Sequence, residues 1–208
     1  MSENKIYLYP VWVRIWHGLN ALCILTLIIT GINLQFSNPG FELINFNLAI
    51  NLHNIAGILL SVNYLFFFFG NILSSNNKYY RLKMKGLFKK MTVQADYYTS
   101  GMFKDEPHPF PISEKRKFNP MQKVMYVVVM YIFVPGVIIT GLALLFPETI
   151  IQEVYTVSGI FITAVFHASL GFLISIFLID HLYVCTIGKH PLKNFKSMIN
   201  GYHDLSEH

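Results

Sequence analysis

The chain has 208 residues, 53% of them hydrophobic and only 13% charged, with a mean hydropathy of +0.45 and a net charge of +5. That balance excludes an ordinary soluble domain and places the chain in the membrane class. Four apolar runs are long enough to cross about 30 Å of hydrocarbon, which takes roughly 20 helical residues. The first, 11–34, is too long for a cleaved signal peptide, lacks a small-residue cleavage pattern and carries Arg14, Trp16 and His17. Ser37-Asn38-Pro39-Gly40 is then a strong turn signal, and a short amphipathic piece leads into the second run, 48–73. Residues 74–120 read as one long loop. Within it, Tyr79 to Lys85 and Leu87 to Lys90 are basic and aromatic by turns, the pattern of an interfacial helix lying on a leaflet, with a partner-binding surface as the alternative. Pro107, Pro109 and Pro111 make an extended lead into the third run, 121–146. The fourth is 155–187, leaving a tail over 188–208.

All sixteen Lys and Arg residues fall on one side of this four-span arrangement, at Lys5 and Arg14, between Lys78 and Lys123, and at Lys189, Lys193 and Lys196. The two connections on the other side carry only Glu42, Glu148 and Glu153 as charges. Basic residues stay on the cytoplasmic face, so both termini and the loop 74–120 are expected there. The basic balance is therefore topology and contact with anionic lipid, and nucleic-acid binding is excluded. The expected fold is all-α, a single integral membrane domain built as a four-helix bundle. Cys23 and Cys185 lie within or at the edge of spans and form no C-x-x-C-H sequence, which excludes a disulfide framework and covalent haem attachment. A weak internal echo is present: Leu27-Ile28-Ile29-Thr30-Gly31 in the first span returns as Val137-Ile138-Ile139-Thr140-Gly141 in the third. It fits two parallel helical hairpins, or an inexpensive membrane-helix sequence met twice.

Histidine in hydrocarbon is costly and usually faces the bundle interior with a partner. Four histidines lie in the spans, His17, His53, His167 and His181; His108, His190, His203 and His208 fall in polar segments and read as solvated. His167 and His181 are fourteen residues apart, so they lie within roughly 40° of one helix face and about 21 Å apart along the axis. With cytoplasmic termini, His17 and His181 share the inner depth, and His53 and His167 the outer one. Two imidazoles facing each other at one depth are what a six-coordinate haem iron needs, and such ligation favours electron transfer over substrate activation. Gly57 and Gly171 each follow a ligand by four residues and offer the low relief a flat macrocycle requires, or merely close helix packing. Arg14 shares the His17 face, as a candidate partner for a haem propionate or as an ordinary positive-inside anchor.

These residues resemble the di-haem cytochrome b subunits that anchor nickel–iron hydrogenases, respiratory formate dehydrogenases and thiosulfate reductases in bacterial membranes. The likeness is carried by Val13-Arg14-Ile15-Trp16-His17-Gly18-Leu19-Asn20, by His53, by Lys117-Phe118-Asn119-Pro120-Met121-Gln122-Lys123, and by His167 and His181 followed by Tyr183 and Gly188. The resemblance implies two haems b and a quinone, menaquinone or ubiquinone, exchanged near the cytoplasmic haem at Asn119 and His181, with Gln122 a neighbour. Read from the residues alone, Asn119-Pro120 is a helix N-cap followed by proline in the first turn. Asp180 is a candidate proton relay beside His181, or a helix-end carboxylate paired with a lysine. An iron–sulfur subunit and a catalytic subunit on the outer face are the implied partners, with the primary substrate site on another subunit. Two rival functions stay open: a haem-free, quinone-binding anchor, and a histidine-based cation or proton transporter, against which the absence of a broken-helix signal counts.

Overall fold

The computed structural model describes residues 5–38, 40, 43–187 and 191–204. Pro39 of the turn signal, Glu42, Gly188, Lys189, His190 and His208 lie outside the described residues. Among the described residues, four helices are long and apolar enough to cross a membrane: α1 (Val11–Phe36), α2 (Phe46–Leu73), α4 (Pro120–Leu145) and α5 (Gly159–Thr186). Between α2 and α4 a shorter helix, α3, spans Leu87–Thr99, and α6 spans Lys193–Asn200 after α5. Short antiparallel strands complete the fold: β1 (Lys5–Tyr7) with β4 (Tyr202–Asp204), and β2 (Glu153–Val154) with β3 (Val157–Ser158). The chain divides into two compact units, one over 1–14, 69–128 and 182–208, the other over 15–68 and 129–181.

The second unit holds the central stretches of all four spans. Ile15, Leu22, Val62, Ile139, Phe161, Phe172 and Ile179 are exposed on it, as expected of helices whose outer faces meet lipid tails. Inside, Trp16 stacks on Phe67 with ring centroids 4.3 Å apart, Phe67 reaches Tyr131 at 6.4 Å, and Leu60 and Phe67 are fully buried. Asn63 donates to the Trp16 carbonyl at 3.2 Å, joining α2 to α1. Two departures from the sequence reading occur here. First, α5 starts at Gly159 and not near 155, because Glu153–Ser158 forms a tight hairpin whose return brings the Ile151 carbonyl against Gly159. A Cβ at Gly159 would stand 1.7 Å from that oxygen, so only glycine fits. Second, α4 carries a π-helical turn at Val129–Phe133, where the sequence reading saw no interruption. Pro135 explains it, since proline has no N–H for the Tyr131 carbonyl and its ring would press on that carbonyl in a regular helix.

The first unit is more ordered than a loop and a tail. Strand pairing sets Lys5, Ile6 and Tyr7 against Asp204, His203 and Tyr202. The connection needs Gly201, at φ 88°, because a Cβ there would meet Tyr7 and the Tyr9 carbonyl under 3.0 Å. His203 is buried, correcting its reading as solvated: Ser197 donates its hydroxyl to the Lys193 carbonyl at 2.9 Å and accepts from His203 Nδ1 at 3.3 Å. In the loop, Tyr79 closes a 3-10 turn over Ser75–Tyr79 and the rest of the basic and aromatic stretch before Gly86 is not helical; α3 begins only at Leu87, after Gly86 at φ 70°. Met84, Phe88 and Phe103 are exposed among lysines, in keeping with a leaflet surface.

Lys117 is the buried charge of this unit. Its ammonium donates to Asn76 Oδ1 at 3.1 Å, lies 4.3 Å from the centre of the Tyr79 ring, and Asn76 in turn donates to Asn71 Oδ1 at 2.7 Å. Burial, then the Lys78 charge, lowers its pKa from 10.5 to about 8. Between those values the unfolded chain binds the extra proton, so this group's contribution to stability rises with pH through that window. Tyr9, raised by burial from 10.0 to about 12, opposes this only above pH 10. Thermal midpoints in detergent are therefore expected to climb from pH 8 to 10, and Lys117→Met to flatten the climb; an identical slope in that variant would contradict the assignment.

Candidate functional site

The second unit brings the four span histidines together in two pairs. His17 on α1 faces His181 on α5 with ring centroids 6.1 Å apart and planes at 53°; His53 on α2 faces His167 on α5 at 6.2 Å and 68°. A metal–imidazole bond of about 2.0 Å, with each ring centre about 1.1 Å behind its nitrogen, sets two trans ligands about 6 Å apart, centre to centre. A direct N–H···N hydrogen bond of about 3.0 Å would set them at about 5 Å. Both pairs match the first spacing. Among the described residues no three His, Cys, Asp or Glu side chains converge as a metal cluster. Each pair thus offers two nitrogens and nothing more, a donor set that fits an iron whose other four ligands come from a porphyrin.

The surroundings fit a flat group as well. A Cβ at Gly171 would meet nothing within 4 Å, and one at Gly57 only Leu27, at 4.0 Å. Two hydroxyls that the sequence reading passed over hold the His53–His167 pair: Thr30 Oγ1 lies 2.9 Å from His53 Nδ1, and Thr140 Oγ1 lies 2.9 Å from His167 Nδ1. Both threonines belong to the internal echo, so the signal was present in the sequence.

Around His17, the indole Nε1 of Trp16 and the Oδ1 of Asn20 are buried without hydrogen-bond partners. Asn20 is three residues from His17 and so shares its face. Buried polar atoms of this kind call for a polar guest, and a propionate or a quinone oxygen suits the indole N–H. Arg14, in the first unit, donates one arm of its guanidinium to the Ile199 carbonyl, tying α1 to α6, while its Nε is buried and unpartnered. Phe177, one turn before His181, stacks on its ring at 5.7 Å. Asp180 is exposed near the end of α5.

Asn119 and Gln122 belong to the first unit and His181 to the second. Asn119 and Gln122 form a reciprocal capping box at the start of α4: Gln122 N donates to Asn119 Oδ1 at 2.9 Å, and Asn119 N donates to Gln122 Oε1 at 3.1 Å. Asn119 Nδ2 donates further to Tyr98 Oη at 2.7 Å. One turn earlier on α3, on the Tyr98 face, Gln94 is fully buried with both amide atoms unpartnered. Gln94 lay in the stretch read as loop and carried no sequence motif, so only the burial exposes it.

The profile of a family described as prokaryotic cytochrome b561 matches residues 8–201. An Escherichia coli (strain K12) protein named "Putative cytochrome YdhU" is 36% identical over 200 residues, covering 96% of this chain and 75% of that protein.

Proposed function

Because this chain belongs to the prokaryotic cytochrome b561 family, and is thus a multi-pass membrane cytochrome of the bacterial inner membrane, we propose that it is a di-haem subunit carrying electrons across that membrane between a peripheral oxidoreductase and quinone. The observation that carries this reading is the two pairs of facing imidazoles, with ring centroids at 6.1 and 6.2 Å, each pair spaced for one metal between two nitrogens. Haem b would supply one-electron redox chemistry when bound, with His17, His53, His167 and His181 as the residues that would hold it. His17 and His181 hold the haem nearer the chain ends, and His53 and His167 the other. By the charge sidedness, the first of these is cytoplasmic. Trp16 and Asn20 supply the polar edge beside His17. The iron–sulfur and catalytic subunits of the complex dock on the outer face, where the chain's connections are short and contain no lysine or arginine.

Quinone exchange is assigned to the cytoplasmic side through Asn119, with Gln122 holding it in place. The unpaired amide of buried Gln94, one turn from the Tyr98 that Asn119 engages, supports a polar guest in that part of the first unit. Asp180, exposed near the end of α5, is suited to passing protons to and from water. Asn119→Ser keeps a capping oxygen but shortens the reach to Tyr98, so haem content should hold while haem reduction by added menadiol slows by about tenfold, one charge-neutral hydrogen bond's worth. An unchanged rate at full haem content would remove Asn119 from the site.

The transmembrane path has its own test. In sealed vesicles holding ferricyanide, dithionite added outside should bleach the trapped oxidant through the reconstituted chain, and should fail to do so through His17→Ala. Equal bleaching by both proteins would overturn the electron-carrying role.

A further inference from the structure

We propose that Thr30 and Thr140 are a duplicated pair of positioning residues that fix which nitrogen His53 and His167 present to their shared haem and so set that haem's potential. The inference rests on the di-haem reading. Its basis is a hydrogen-bond count. Thr30 Oγ1 lies 2.7 Å from the Thr26 carbonyl and 3.3 Å from that of Leu27, and Thr140 Oγ1 lies 2.7 Å from the Gly136 carbonyl and 3.3 Å from that of Val137. A hydroxyl has one proton, and on both helices it is committed to the preceding turn. Toward the imidazole each oxygen can then only accept, so Nδ1 of His53 and of His167 carries the proton. Nε2 is left with its lone pair free for a metal.

The agreement of all three distances on two helices ties the echoed sequence to a task. The glycine after each threonine takes part too: a Cβ at Gly31 would lie 3.6 Å from His53 Cε1, and one at Gly141 only 3.0 Å from His167 Cε1. Threonine grips the ring at Nδ1, while glycine lets its edge lie against the helix. First and third spans thus serve the two ligands alike, as two parallel hairpins would. A hydroxyl is a neutral acceptor. It lends the imidazole some electron density without drawing off the proton as a carboxylate would, and removing it should make the ring a poorer donor and the ferric state less favoured.

The test uses the purified holo-protein with Thr30→Val and Thr140→Val, singly and together, followed by optical redox titration and low-temperature EPR. Each single change is expected to raise the midpoint of the same one of two redox steps and to shift one low-spin signal, the double change to raise it further, and the other step to stay in place. Serine at either position keeps the acceptor and is expected to restore the parent midpoint and signal. Full haem content with neither midpoint nor signal moved, or both steps moved alike, would overturn the proposal while leaving the di-haem reading intact. If valine empties a site, loss confined to the haem that His53→Ala also removes supports the assignment, and loss of the other haem overturns it. A wild-type protein that binds no haem would overturn both readings together.

Discussion

His53→Ala is expected to halve the haem content of the purified protein, from about two to about one per chain, and to leave the His17–His181 site filled. The expectation follows from the separateness of the two pairs. His167 and His181 are fourteen residues apart, about 21 Å along α5, so neither pair can borrow an imidazole from the other. With His53 gone, His167 remains held by Thr140, but the far face of its haem has no protein nitrogen to bind, and a one-sided haem washes out or turns high-spin. His17→Ala is the mirror experiment and should empty the other site. Haem assayed against protein, with the low-spin EPR signals counted in each variant, reads both outcomes. If the two substitutions remove the same spectral species, or if either removes both, the pairing is wrong.

The second large effect is expected far from any haem ligand. Asn33 is completely buried near the end of α1, and its Oδ1 accepts from the backbone N–H groups of Leu43 and Ile44 at 2.9 and 3.0 Å. Those amides belong to the turn that leads into α2, so this one oxygen fastens the connection between the two helices that bring Thr30 to His53. Asn33→Leu preserves the volume and abandons both donors in a setting that offers them little water. At about 1–2 kcal/mol for each orphaned group the cost is roughly 2–4 kcal/mol, or about 5–15 °C in thermal midpoint for a chain of this size. Asn33→Asp keeps the acceptor and should lose less. Haem release on heating should begin at the His53 site in the leucine variant. A leucine variant that melts with the parent would show that water or another group already serves those amides.

Much of this architecture was legible because the bilayer imposes so few solutions. A span must be long and apolar, which fixed α1, α2, α4 and α5 to within a few residues at most boundaries, and the cost of an imidazole in hydrocarbon singled out four histidines from eight. Helical periodicity then set His167 and His181 on one face. What escaped the reading depended on contacts between distant residues. Three-residue strands at Lys5–Tyr7 and Tyr202–Asp204 have no period to detect, and the burial of His203 follows only from their pairing. The Glu153–Ser158 hairpin sits where hydropathy alone extends the fourth span. Pro135 did announce the π turn, but proline is common enough in membrane helices that its effect was not foreseen. Thr30 and Thr140 were noticed as a repeat, and their purpose appeared only when each hydroxyl was seen against an imidazole. Gln94 left no trace in the sequence at all.

The proposal of two haems rests on the spacing of the two imidazole pairs. The most direct test of that geometry is to purify the protein from cells supplied with haem precursor, count haem against protein, and record the EPR spectrum of the oxidised form. Two haems b per chain, both low-spin with two imidazole ligands, are predicted. A folded protein that is colourless, or that holds a single haem, would contradict the account.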